Sequence, residues 1–245
     1  MTIKPSTLKK ASEAANRKIA EIIDNDRRHP LHGDLRSGLV AGRLKPRYHA
    51  GVGFAQVYLS EDVRLHLWHP DLPTEPESFG CRHDHRFDFT STVLLGAVTN
   101  IFLDVGEGAV QTAGSGDQFV PGYGSFDEWE VMPAHLGSEE PTIRRRGVDV
   151  KIGGVQVLMA GDTYSFPKRR YHESRGHNVT LTVMKKFNQE DSWAGIIAPR
   201  GQPPQHGMAG PQVSKDRLVG LFLSALDKID SAGWDRIQSL LMESD

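Results

Sequence analysis

Two histidines one residue apart, His83 and His85 in "GCRHDHRF" (80–87), are the residues best placed to do chemistry. In an extended chain alternate side chains share a face, which sets the two residues about 6–7 Å apart at their Cα atoms. Both imidazoles can then reach one ion, with metal–nitrogen bonds of about 2.0–2.1 Å. Two ligands make a poor site, so a third is expected from elsewhere. The segment "GDTYSFPKRRYHESRG" (161–176) offers one. A Gly-Asp turn and Pro167 precede His172, which reads as a histidine at the entry of a strand.

Together the two segments resemble the cupin family, whose motifs are G-x5-H-x-H-x3,4-E-x6-G and G-x5-P-x-G-x2-H-x3-N. His83 and His85 match the paired histidines and Gly96 the closing glycine. Gly161, Pro167 and His172 match the second motif in register. The sequence departs from the pattern at other positions. Gly80 lies three residues before His83 rather than six. Phe89, or Thr90 in the longer spacing, stands at the Glu ligand position. Arg169 replaces the second-motif Gly, and Gly176 the final Asn. The resemblance spans residues 60–187. It implies a double-stranded β-helix, or jelly-roll barrel, with His83, His85 and His172 as metal ligands. The three-histidine thiol dioxygenases of the family lack the Glu ligand too. Alternatively, Asp88 restores a carboxylate if the strand bulges by one residue, giving a site close to two histidines and a carboxylate.

The expected cofactor is a divalent metal, Fe(II) foremost, with Zn, Ni, Mn or Cu as alternatives. Lys168, Arg169 and Arg170 lie just before His172, and Arg82 and Arg86 flank the histidine pair. Cations at a barrel mouth favour a carboxylate or phosphate substrate. Arg82, Arg86, Lys168 and Arg170 are therefore the expected substrate-binding residues. Tyr164 is the inward-facing proton donor by strand parity, and Asp88 the second catalytic candidate. His66 and His69 read as structural. The leading functional expectation is an Fe(II)-dependent dioxygenase acting on a small anionic molecule. A metal-dependent isomerase, lyase or hydrolase on a sugar-like or phosphorylated compound is one alternative. A non-catalytic ligand-binding or sensor cupin is the other.

The elements that must position these residues are mostly strands. Segments such as "VRLHLW" and "VTLTVM" alternate: Val63, Leu65 and Leu67 share one face, Arg64, His66 and Trp68 the other. "FTSTVLLGAVTNIFLDV" reads as two strands around Gly96, and "EWEVM" as a short strand inside a long excursion over 104–150. The expected organisation is an N-terminal helical extension over 1–35, with its helix at 6–25 and a break at Pro30 and Gly33. A β core over 36–190 follows, then a Pro/Gly linker over 191–213 and a helical pair over 214–245. The class is mainly β.

The chain has 245 residues, 38% hydrophobic and 24% charged, with net charge −2. That balance gives no electrostatic footprint for nucleic acid or membrane. The single cysteine, Cys81, precludes an internal disulfide. With no signal-type apolar run near residue 1, it sets a cytoplasmic expectation. The amphipathic terminal helices are expected to pack on the barrel or across a homodimer.

Overall fold

The computed structural model describes residues 29–73, 82–107, 126–132, 142–204 and 213–243. The helix expected over 6–25 lies outside these residues, as do Cys81 and the middle of the 104–150 excursion. The described chain is mainly β: one antiparallel, curled sheet with one helix before it and two after it. No described helix is long and apolar enough to cross a membrane.

The strands are β1 (Arg47–His49), β2 (Phe54–Tyr58), β3 (Val63–Trp68), β4 (Asp88–Glu107), β5 (Phe126–Val131), β6 (Thr142–Met159), β7 (Thr163–Phe166), β8 (His172–Phe187) and β9 (Ala194–Pro199). Their spatial order is β1-β2-β3-β8-β4-β6-β5-β9, with β7 paired to β4. The strand anticipated in "EWEVM" is β5. β9 falls inside the expected 191–213 linker. Its short run "AGII" is held by pairing with β5, from Phe126↔Pro199 to Val131↔Ala194, and carries too few residues to show alternation.

Alternation divides the sheet as expected. Val63, Leu65 and Leu67 of β3 and Leu181 and Val183 of β8 are fully buried against the helices. Arg64, His66 and Trp68, with Thr182 and Met184 opposite, face the concave interior. Each fully buried Leu or Val on the helix side contributes about 1.5–3 kcal/mol.

The three helices, α1 (Pro30–Val40), α2 (Lys215–Leu226) and α3 (Ser231–Met242), cover that apolar face through Leu39, Phe222 and Ile237. α1 starts where the sequence suggested a break. Pro30 occupies the first turn, where a missing N–H costs nothing, and the His29 side chain accepts from Leu31 N–H. Ser214 and Asp230 cap α2 and α3. The C-terminal pair thus packs on the sheet of its own chain.

β4 is one continuous 20-residue strand rather than two. Its register shifts at 93–97 mark the place where sequence alone suggested a turn. Gly96 has φ +77, and a Cβ there would lie 2.4 Å from the Val179 carbonyl oxygen. Only glycine fits this bend. The bend lets the outer half of β4 pair with the start of β8, opposing Phe102 to His172.

Candidate metal centre

The short segment 82–85 lies between β8 and β9 and hydrogen-bonds to both. His83 and His172 exchange both backbone N–H···O bonds at 3.0 Å. Asp84 N–H donates to Gly195 O at 3.0 Å, and Ile197 N–H to Arg82 O at 2.8 Å. His83 therefore sits directly opposite His172. The two motif segments, almost ninety residues apart in sequence, are one hydrogen-bonded pair.

The imidazoles of His83, His85 and His172 converge. Their candidate ligand nitrogens all lie within 4.8 Å of one another. The ring centroids are 4.8 Å apart for His83–His85, 4.8 Å for His83–His172 and 5.1 Å for His85–His172. A shared ion at about 2.0–2.1 Å holds its ligand nitrogens within about 3–4 Å of one another. The backbone carbonyl of Arg170 lies 3.1 Å from His172 Nδ1. A proton on Nδ1 donates to that oxygen and leaves Nε2 as the free ligand atom. Burial holds His85 well below the ordinary imidazole range and His172 at about 3. Both are neutral near pH 7, the form that binds metal. The donor set fits a metal ion, without specifying which one.

Aromatic rings enclose the cluster. Phe166 lies 4.4 Å from the His172 ring, and Phe87 and Phe89 lie 4.8 and 5.0 Å from the His85 ring. Phe89 is buried and stacks on Phe166 at 5.0 Å. The position that carries a carboxylate in the cupin motif is thus an apolar wall. Asp88 points elsewhere. Its carboxylate accepts from Lys168 N–H at 2.7 Å and from Asn188 Nδ2 at 2.8 Å, tying down the 167–170 turn. These bonds hold its pKa below the usual carboxylate value.

Tyr164 faces inward, as parity predicted, but behind Phe89 and Phe166, at 6.2 and 5.6 Å. Its hydroxyl meets Ser91 and Asn100, and burial raises its pKa.

Most of the expected substrate cations already have carboxylate partners. Arg82 pairs with Glu173, Lys168 with Glu190, and Arg170 with Asp104 at 3.1 Å. Arg86 accepts Glu190 N–H through its backbone carbonyl. Arg169 stands at the motif glycine and adopts φ +67, a conformation glycine takes freely. Its guanidinium bonds Trp193 O, Ser192 and Glu190 and stacks on Trp193 at 4.3 Å. Its N–H donates to His85 O at 2.8 Å, so this strained turn fixes the backbone of one histidine.

Sequence reasoning passed over two groups. Asp84, between the histidines, turns away from them and accepts Gly195 N–H. Burial lifts its pKa to about 6. On the inner face, His66 was read as structural and Arg64 was assigned no role. Both are near enough to His85 to depress its pKa. The alternation in "VRLHLW" carried the signal: the polar side of that strand is enclosed too, with His66 only 7% exposed.

No family model matches this chain, and no curated protein does. Among solved structures, it is similar to a crystal structure of an E. coli K12 protein from a structural genomics consortium. The identity is 14%, over 60% of this chain and 87% of that one, with a TM-score of 0.24.

Proposed function

We propose that this chain is a cupin-like metalloenzyme that acts on a small anionic molecule, with His83, His85 and His172 holding a divalent ion. The observation that carries this reading is the convergence of three imidazoles, with nitrogens within 4.8 Å, on the concave face of the sheet. An Fe(II) dioxygenase is the preferred chemistry. Three imidazoles leave coordination positions open, and no described carboxylate joins the set. When bound, such an ion supplies a Lewis acid and an oxygen-activating centre.

The chain's own residues do the rest. The Arg170 carbonyl fixes the His172 ring, the paired N–H···O bonds with His172 fix the backbone of His83, and Phe87, Phe89 and Phe166 restrict water.

Elemental analysis of the purified full-length chain tests the metal. We expect about one equivalent of a divalent transition metal, lost in His83→Ala and His172→Ala. Unchanged metal content in both variants refutes the site. Oxygen consumption by the Fe(II)-loaded chain, dependent on a small carboxylate substrate, separates the dioxygenase from an isomerase or hydrolase.

A further inference from the structure

The described helices cover the convex face of the sheet along only part of its length. Leu181 and Val183 of β8 lie beneath them. Further along the same face, the second half of β6 presents Val155, Val157 and Met159, which are 60%, 62% and 58% exposed. Alternation puts all three on one side. They stand opposite Ile101, Thr99 and Ala97 of β4, and form an apolar strip about 14 Å long. Thr99 and Ala97 pair in turn with Arg175 and His177, which share the face of Leu181 by parity. The same stretch of β6 has an open edge. β4 pairs with it from Val148 to Met159, while β5 takes only Thr142 to Val148 on the other side. Among the described residues, no strand meets 149–159 along that edge. An open edge with exposed apolar side chains invites uncontrolled pairing, and folded chains cover such edges with a helix or loop.

The chain before residue 29 attaches beside this strip. His29 caps α1, stacks on Trp234 at 6.3 Å and reaches Asp235 at 3.5 Å. This part of α3 sits over β4. Arg236 Nε donates to Thr92 Oγ1 at 3.3 Å, and a Cβ on Gly233 would lie 3.6 Å from Leu94 Cδ2. Leu94 is a few residues from Ala97, where the strip begins. The connections over 108–125 and 133–141 instead attach at Glu107 and Thr142, the far ends of β4 and β6. The sequence before His29 also has matching chemistry. Leu8, Ala11, Ala15, Ile19, Ile22 and Ile23 recur with a helical period. A helix over 6–25 would be about 30 Å long, more than the strip needs, and the link from 25 to 29 reaches about 14 Å.

We propose that this strip is the docking site of residues 6–25 of the same chain, which lay their apolar side on Val155, Val157 and Met159 and close the open edge of β6. A tethered segment suits the site better than a second copy does. The three exposed side chains offer far less than the about 800 Å² per partner that a stable dimer buries. A short tether instead holds the segment at high local concentration, so a small contact suffices. The histidine cluster lies on the opposite, concave face, so this inference does not rest on the metal-centre reading.

The test uses the full-length chain carrying Cys81→Ser and Val157→Cys, so that its one thiol lies in the strip. A maleimide probe reads how accessible that thiol is. Adding Ile19→Asp and Ile22→Asp is expected to speed labelling by about tenfold or more, because the apolar side of the segment is lost. Tryptophan fluorescence checks that the sheet stays folded in each variant. A second measurement keeps the test open if the aspartates disturb folding. Ile22→Cys combined with Val157→Cys, again with Cys81→Ser, is expected to form a disulfide within one chain in dilute solution. Equal labelling rates with and without the aspartates in folded chains overturn the proposal. So does a disulfide that forms only between chains, or slow labelling that becomes fast on dilution, since either result makes a second copy the occupant.

Discussion

Acid should unfold this protein earlier than its composition suggests, because the concave face holds histidines that must stay neutral. Burial holds His49 at about 4 and His172 at about 3, and His66 and His85 well below the ordinary value. In the unfolded chain all titrate near 6.5. Between that value and each folded value, the unfolded state binds more protons. Stability therefore rises with pH in this window and is lost as pH falls. Each fully protected histidine costs about 1.4 kcal/mol per pH unit below 6.5. His66 and His172, the two buried most completely, together remove about 4 kcal/mol at pH 5. The half-exposed pair adds less because solvent screens it. Asp84 acts in the opposite direction. With its pKa raised to about 6, it offsets about 1.4 kcal/mol at pH 5. The net loss is then at least about 2–3 kcal/mol, a large fraction of a typical domain's stability. Urea denaturation of the EDTA-treated chain, followed by tryptophan fluorescence from pH 7.5 to 5.0, measures it. The expected curve is nearly flat above 6.5 and falls steadily below. In His66→Gln the fall should be shallower by about 1.4 kcal/mol per pH unit. A wild-type stability unchanged down to pH 5 would refute the reasoning, as would a His66→Gln slope identical to wild type.

Further outcomes follow from individual contacts. Phe89→Ala removes a buried ring stacked on Phe166 and should cost about 3–5 kcal/mol in chemical denaturation. Asp88→Asn should leave metal content unchanged. It should destabilise the fold by about 1–3 kcal/mol through the weakened bonds to Lys168 and Asn188, and a loss of metal would return Asp88 to the ligand set. Gly96→Ala meets the Val179 carbonyl at a positive φ and should lower stability by more than about 2 kcal/mol.

The legible parts of this protein were those governed by local periodicity. The two-residue period in "VRLHLW" assigned both faces of β3, and the helical period after Ser214 assigned the C-terminal pair. The spacing of His83, His85 and His172 identified a set of histidines that the structure brings together. Pro30 was misread because proline breaks a helix interior yet suits its first turn. β9 was missed because its strand state comes from pairing with β5, not from its own composition.

The side-chain partners were not legible. Sequence shows that Lys168, Arg170 and Arg82 are cations near the site. Only the fold reveals that Glu190, Asp104 and Glu173 already engage them, while Arg64 meets no carboxylate among the described residues. Parity is a local property of the chain and can be read from its residues. The pairing of charges depends on which distant strands lie side by side, and that is decided when the sheet curls and the 82–85 segment joins β8 to β9.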